Sequence, residues 1–259
     1  MLRSLRETVH ILLTPHKVVL GRTVWPNNKS PLPTETIEVV KSPGDTPWRA
    51  ALDALDRLLG EASASRRPIR PTRPIRLTLS HHFVRFAEVP WQPKILTAPL
   101  RAIQAEHRFR QLYGPAHAGW RTNVSESTYG APALAAAVGE ELLIALQQLA
   151  AKRKISFSEI KPWGIAPINT FRKKLRKDHN TSLVLAEEGK QVVLLFRGTE
   201  LAGVAARRGI VESSDTLSLL VNQEAMALGL AGLQKNIFLA RRDDNVAAVS
   251  DFVPLTSCK

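Results

Sequence analysis

Runs of apolar residues near the start of the chain predict a series of β-strands. Two β-branched runs, Thr8 to Leu13 and Lys17 to Trp25, are separated by a Pro-containing turn, and the segment ETIEVV predicts a third strand. Further along, the segment IRLTLS has the pattern of a buried strand. The proline-rich segment SASRRPIRPTRP before it excludes a helix there.

Between the third and fourth predicted strands, the apolar period changes to that of a helix. A start signal at Asp45 or Thr46 precedes Pro47, which suits the first helical position. Apolar residues then recur at helical spacing, and Gly60 predicts the end of the helix. The order is therefore strand, strand, strand, helix, strand.

The same order returns in the C-terminal part. TSLVLAEEGKQVVLLFRGTELAGVAARRGIV predicts three strands joined by tight turns, SSDTLSLLVNQEAMALGL a capped helix, and NIFLAR a strand. We therefore predict that Thr8–Leu79 and Thr181–Arg241 are two copies of one β-β-β-α-β unit. Between them, we predict a helix over Ala98–Tyr113, strands at GWRTNVSES and PALAAAV, a helix at GEELLIALQQLAAKRK, a strand at ISFSEIKPW and a helix at IAPINTFRKKLRK.

Charge and cysteine content limit the kinds of partner and the cellular compartment that the sequence predicts. The net charge of +13 and pI near 10.4 indicate an acidic partner, whether nucleic acid, an anionic membrane surface or an acidic protein. The single cysteine, Cys258, excludes an intramolecular disulfide and a cysteine-based zinc site. The first apolar run is too short for a signal peptide, and no window resembles a membrane span. These features predict a cytoplasmic protein.

Two basic clusters stand out. The first contains Arg66, Arg67, Arg70, Arg73 and Arg76 on a proline-stiffened segment, and the second contains Arg172, Lys173, Lys174, Arg176 and Lys177 near a helix C-terminus. A solvated face explains either cluster, and the helix dipole favours cations in the second. Because neither cluster interleaves aromatic residues, binding of nucleic acid is the alternative rather than the leading hypothesis.

No catalytic or metal-binding pattern is evident in the sequence. The motifs G-x-S-x-G, H-E-x-x-H, Walker A and G-x-G-x-x-G do not occur. His81 and His82 lie between two extended runs, so they are expected to form a tight turn, and adjacent histidines point different ways in an extended chain. We predict no catalytic residues, no metal and no cofactor.

Two strands end in a Pro-Trp pair. Pro90 and Trp91 close the segment EVPW, and Pro162 and Trp163 lie in KPWG. Burial at a domain junction and contact with a partner both explain these pairs.

The repeated order of elements, together with the segments LTLSHHFVRFAEVPW, AEHRFRQLYGPAHAGW and IKPWGIAPINTF, resembles the actin-like, ribonuclease-H-like superfamily. Within it, the chain resembles the bacterial assembly-platform proteins of the PilM and GspL group, from type IV pili and type II secretion. The resemblance implies an α/β fold with two ribonuclease-H-like β-β-β-α-β subdomains. It places the first at 1–178, with an inserted α+β region at about 92–154, and a shorter second subdomain at 179–259.

Actin-like ATPases hold the nucleotide phosphates with Asp and Gly residues in two hairpins. The resemblance therefore predicts such residues in the two corresponding hairpins of this chain. The first hairpin, LLTPHKVVLG, has neither in its turn, and the second offers Glu187, Glu188 and Gly189. We therefore predict a degenerate nucleotide site without ATP hydrolysis. The sequence does not exclude weak nucleotide binding.

The implied function is that of a non-catalytic cytoplasmic adaptor, or pseudo-ATPase. Its partner would be an inner-membrane assembly-platform protein or the assembly ATPase, and peripheral association with the inner membrane would follow. By the same resemblance, a groove between subdomains would hold a partner peptide, with Trp91 and Trp163 as anchors flanked by Pro90 and Pro162. The positive charge adds weak contact with nucleic acid or an anionic membrane surface as a secondary expectation.

Overall fold

The computed structural model of the chain describes residues 6–25, 34–40, 44, 46–65, 68–69, 73–95, 97–177, 179–209, 213–230, 236–242 and 253–255. They divide into two compact units. The first comprises the described residues within 6–83 and 140–163, and the second those within 84–139, 164–242 and 253–255.

The elements up to residue 163 are β1 (Arg6–Leu13), β2 (Lys17–Trp25), β3 (Glu35–Glu38), α1 (Pro47–Ala64), β4 (Ile75–Leu79), β5 (Val84–Val89), α2 (Ala98–Tyr113), a 3₁₀ turn (Gly114–His117), β6 (Trp120–Val124), β7 (Ala133–Gly139), α3 (Glu140–Arg153) and β8 (Phe157–Pro162). They are followed by α4 (Ile165–Arg172), β9 (Asn180–Glu187), β10 (Lys190–Arg197), β11 (Glu200–Arg208), α5 (Ser214–Ala227), β12 (Asn236–Arg241) and β13 (Val253–Leu255).

The first unit contains a five-stranded sheet in the order β3-β2-β1-β4-β8. The first three strands pair antiparallel, and β4 returns after α1 to pair parallel with β1 on its other side. The β1–β4 register places Ile11 opposite Leu77 and Leu13 opposite Leu79, and all four side chains are buried. In β4 these buried residues alternate with more exposed ones, as the apolar pattern predicts.

The second unit repeats this arrangement, in the order β11-β10-β9-β12-β13. Three antiparallel strands are followed by α5, and β12 then pairs parallel with β9. Buried residues of the sheet and of α5, among them Val184, Val193, Leu217 and Val221, form one core. The predicted repeat of the β-β-β-α-β order is therefore confirmed. The additional edge strand β13 was not predicted.

A smaller sheet, β5-β7-β6, belongs to the second unit and carries α2 on one face. Small residues of β7 leave room for the fully buried Phe109 of α2, whose ring lies 6.2 Å from that of Trp120. In the first unit, α3 packs on α1 instead. The predicted subdomain boundaries at 178 and the insertion at 92–154 stay predictions.

Two helix ends differ from the sequence predictions. The prediction that α1 ends at Gly60 is wrong, because the helix continues to Ala64. A Cβ on Gly60 would lie 3.3 Å from the Arg153 guanidinium, so this glycine gives room to α3 rather than ending α1. The helix at IAPINTFRKKLRK is shorter than predicted and ends at Arg172, after its last fully buried side chain, Phe171.

Candidate partner-binding site

Trp163 follows β8 and is fixed by the turn that contains the two adjacent histidines. Its backbone N–H donates to the Leu79 carbonyl oxygen at 2.9 Å, and its ring lies 5.0 Å from that of the buried His81. The Phe83 N–H donates to the Ser80 carbonyl oxygen at 3.0 Å, which confirms the predicted turn. Trp163 is half-buried, and the ring that it contacts, that of His81, belongs to the same unit.

The two adjacent histidines contact different neighbours. The His81 ring faces Trp163, whereas the His82 ring lies 6.0 Å from that of His16. Among the described residues, no group of three or more His, Cys, Asp or Glu side chains could hold a metal ion.

Trp91 belongs to the second unit and follows β5. Its ring packs edge-on against that of Tyr129, with centroids 5.0 Å apart, and Tyr129 is 82% exposed. Tyr129 lies in a turn where Gly130 has a φ of +84°, a conformation that glycine adopts without strain. Sequence reasoning missed Tyr129, and a lone tyrosine before a turn glycine is a weak signal for a surface site.

The segment before Trp91 is attached to α2. Gln104 donates from Nε2 to the Pro90 carbonyl oxygen at 2.7 Å, and Arg108 donates from Nε to the Glu88 carbonyl oxygen at 3.3 Å. Burial raises the pKa of the Glu88 carboxyl, and the charge of Arg108 opposes this rise. These contacts hold the aromatic pair Trp91–Tyr129 beside a helix whose outward side chains include the exposed Leu100 and Ile103.

The structure places the Pro-Trp residues in different units, with Pro90 and Trp91 in the second and Pro162 and Trp163 in the first. The groove predicted to combine them stays a prediction.

The first predicted phosphate hairpin is closed by its own threonine. The buried Thr14 hydroxyl donates to the Lys17 carbonyl oxygen at 2.8 Å, and it accepts hydrogen bonds from the His16 and Lys17 N–H groups at 3.2 and 2.9 Å. Pro15 has no N–H group to offer. The amides that would have to hold a phosphate are therefore used inside the turn.

The second hairpin contains two buried charged side chains, those of Glu187 and Lys190. Glu187 is buried and forms an ion pair with Arg242. Lys190 is also buried, and its Nζ lies 3.4 Å from the Val84 carbonyl oxygen. Burial, followed by the charges of Arg85 and Arg208, lowers the pKa of Lys190 to about 7. The Glu187 carboxylate is thus engaged by an arginine of the same unit.

The described residues of the two basic clusters belong to different units. Arg66, Arg67 and Arg70 lie outside the described residues, and Arg73 is half-buried in the first unit. The second cluster is exposed throughout and belongs to the second unit, at the end of α4: Arg172, Lys173, Lys174, Arg176 and Lys177. Within the described part of the chain, no helix is long and apolar enough to cross a membrane.

Comparison with known proteins gives similarity at the level of the fold. No protein-family model matches the sequence, and no curated protein matches it. A Bacteroides thetaiotaomicron protein of unknown function with an actin-like ATPase fold has 9% identity and a TM-score of 0.59, over 94% of this chain and 85% of that one.

Two further solved structures belong to assembly systems. The PilM–PilN type IV pilus biogenesis complex is 11% identical, with a TM-score of 0.56 over 93% of this chain and 83% of that one. The cytoplasmic domain of EpsL, an inner-membrane component of the Vibrio cholerae type II secretion system, is 11% identical, with a TM-score of 0.50 over 83% and 74%. Together with the repeated β-β-β-α-β topology, these similarities show that the chain has an actin-like fold.

Proposed function

We propose that this protein is a non-catalytic adaptor of a bacterial inner-membrane assembly platform, of the type IV pilus or type II secretion kind. It would act on the cytoplasmic side and bind the cytoplasmic segment of an inner-membrane partner or the assembly ATPase. The fold shared with PilM in its complex with PilN and with the EpsL cytoplasmic domain supports this choice of system.

The observation that carries the proposal is the Trp91–Tyr129 pair. Tyr129 is 82% exposed and packs its ring on that of the half-buried Trp91, so the pair presents a large, rigid aromatic surface to solvent. Aromatic residues of this kind supply most of the binding energy in many interfaces, since they bury area with little loss of conformational entropy. The exposed Leu100 and Ile103 of the neighbouring α2 add apolar surface for an amphipathic or extended segment.

The state of the two hairpins supports a binding role over catalysis. In the first hairpin, the Thr14 hydroxyl takes up the turn amides, and in the second, Glu187 pairs with Arg242. Neither turn offers an aspartate for a magnesium ion or a run of glycine amides for phosphate. We infer that the nucleotide site is degenerate.

Titration calorimetry against the cytoplasmic segments of the assembly-platform proteins of the source organism tests this proposal. We expect one segment to bind, and the Trp91→Ala change to weaken its binding by about 2 kcal/mol or more. Trp48→Ala, which removes a half-buried tryptophan in the first unit, is the matched control and should leave binding unchanged. Absence of binding to every segment, or equal losses in both variants, would contradict the proposal.

A further inference from the structure

The end of α4 presents a dense set of cations to solvent. Phe171 anchors the helix, since its buried ring lies 5.8 Å from that of Phe196 and 5.1 Å from that of Phe238. Beyond this anchor, five of the six residues at 172–177 are Lys or Arg, and all five are exposed. The aromatic core fixes the last turn, so the backbone positions of these exposed residues are defined.

The fold adds a further cation from a distant part of the sequence. The Gly198 N–H donates to the His179 carbonyl oxygen at 3.1 Å, so the β10–β11 turn lies against the end of the basic segment. Gly198 has a φ of +60°, and a Cβ there would come within 2.8 Å of the Lys177 carbonyl oxygen. Only glycine permits this approach. The exposed Arg197 is thereby placed next to the segment.

We call these six residues the basic surface: Arg172, Lys173, Lys174, Arg176, Lys177 and Arg197. Glu200 pairs with Arg197 across the β10–β11 turn, and Asp178 follows Lys177 in the sequence. The cations still outnumber the acids by a wide margin, so the potential around this surface is positive.

The chemistry of the surface favours a broad anionic plane over a nucleic acid. Base recognition and single-strand binding use aromatic stacking, and neither the segment 172–177 nor the turn 197–200 contains an aromatic residue. Phosphate backbones are commonly bound by helix N-termini, where N–H groups point outward, whereas these cations surround a helix C-terminus. Attraction of Lys and Arg to a membrane surface needs neither feature, because it depends on the number of charges within about 8 Å of the headgroups.

We propose that the basic surface holds the protein against the anionic headgroups of a phospholipid bilayer. This contact is peripheral and electrostatic, and it is separate from the Trp91–Tyr129 pair, so it does not require the proposed adaptor function. This contact would orient the second unit so that the C-terminal end of α4 faces the membrane.

Co-sedimentation of the full chain with vesicles tests the proposal. Phosphatidylcholine vesicles with about one third phosphatidylglycerol should bind the protein, and pure phosphatidylcholine vesicles should not. Neutralising Lys173, Lys174 and Arg176 to Gln should lower the partition coefficient about a hundredfold at physiological salt. Arg197→Gln alone should lower it about fivefold, which tests the part of the surface that only the fold assembles.

The matched control neutralises three exposed cations elsewhere, in the variant Arg57→Gln, Lys94→Gln, Arg110→Gln. It has the same net charge as the triple variant and should lose less than about tenfold. Equal losses in the two triple variants would mean that net charge alone acts, and would overturn the proposal. So would equal binding to the two kinds of vesicle, or absence of binding to both.

Competition with duplex DNA tests the alternative that the basic surface binds nucleic acid. If the duplex binds with submicromolar affinity through the same three residues and releases the protein from vesicles, the surface is a nucleic-acid site and the membrane proposal is wrong. The Trp91→Ala variant should partition on vesicles like the unmodified protein. A failure of the proposed adaptor function would therefore leave vesicle binding unchanged. A failure of vesicle binding would likewise leave the proposed adaptor function untouched.

Discussion

The indole of Trp91 lies edge-on to the phenol of Tyr129, at an interplanar angle of 67° and a centroid distance of 5.0 Å. The pair joins the end of β5 to the loop between β6 and β7, and both residues belong to the second unit. An edge-to-face pair of this kind is favourable by about 0.5–1.5 kcal/mol beyond its burial. Tyr129 is nevertheless mostly exposed, so the rings stabilise each other while one of them stays available to a partner.

This arrangement predicts that Tyr129→Ala affects binding more than stability. Because Tyr129 is 82% exposed, removal of its side chain should lower the free energy of unfolding by no more than about 1.5 kcal/mol. Partner binding should weaken about tenfold or more, as measured by calorimetry. Leu219→Ala, at an exposed position of α5, serves as the control and should change neither quantity. A large drop in melting temperature with Tyr129→Ala would assign the ring to packing.

A second prediction concerns the contact between α1 and α3. Asp56 accepts hydrogen bonds from Arg153 Nε at 2.5 Å and from Lys152 Nζ at 2.6 Å. Burial raises the pKa of Asp56, but the hydrogen bonds and charges of Arg153 and Lys152 outweigh it, so the pKa lies below its usual value. The stabilisation is therefore present above about pH 4 and is lost as the pH falls through the lower pKa of the folded state.

Asp56→Asn should accordingly cost about 1–2 kcal/mol of unfolding free energy at pH 7, measured by urea titration. The difference from the unmodified protein should shrink towards pH 3, where the carboxyl begins to protonate. Glu61→Gln, at an exposed position of the same helix, is the control and should cost much less. An equal cost at pH 7 and pH 3 would show that charge on Asp56 is not involved.

The buried Lys190 predicts that stability also rises with pH in a second, higher pH window. Its pKa of about 7 lies well below that of an exposed lysine, so between about pH 7 and 10 the unfolded chain binds more protons at this residue than the folded chain. Stability should therefore rise with pH in this window, by up to about 1 kcal/mol per pH unit.

Urea unfolding at pH 7, 8 and 9 measures this slope. Lys190→Met should remove the contribution and so flatten the rise, whereas Lys94→Met, at an exposed position, should leave it. If the unmodified protein and Lys190→Met gave the same slope, the pKa of Lys190 would not be lowered in the folded state.

The fourth prediction concerns nucleotide. Since the Thr14 hydroxyl occupies the turn amides and Glu187 pairs with Arg242, we expect no magnesium-dependent ATP hydrolysis above the buffer background. A phosphate-release assay with the purified chain measures it. Turnover that disappears with Glu187→Ala or Glu188→Ala would show a functional catalytic site and contradict the proposed pseudo-ATPase role.

The repeated β-β-β-α-β order could be predicted from sequence because it rests on local signals. Period-two and period-3.6 patterns identify β1 to β4 and β9 to β12, and α2 has the predicted bounds of Ala98–Tyr113. Helix ends that depend on distant residues could not be predicted. Gly60 has the local signal of a helix end, yet its position opposite Arg153 is decided by the packing of α3 on α1.

The candidate site was predictable only in part. Trp91 follows a strand in the sequence, but its contact with Tyr129 depends on a loop turn far along the chain and has no periodic signal. Likewise, the contact of Gly198 with Lys177 that brings Arg197 to the basic surface is a property of the tertiary structure. The closed turn at Thr14 could be suspected from the missing Asp and Gly, while its hydrogen bonds required coordinates.

Photo-crosslinking from residue 129 in living cells tests the central claim most directly. A benzophenone amino acid in place of Tyr129 should crosslink to one inner-membrane or ATPase component of a pilus or secretion assembly platform, identified by mass spectrometry. The same amino acid in place of Leu219, an exposed residue of α5, should not crosslink to that protein. Crosslinks at both positions to the same proteins, or none from residue 129 in cells that assemble the system, would contradict the adaptor function.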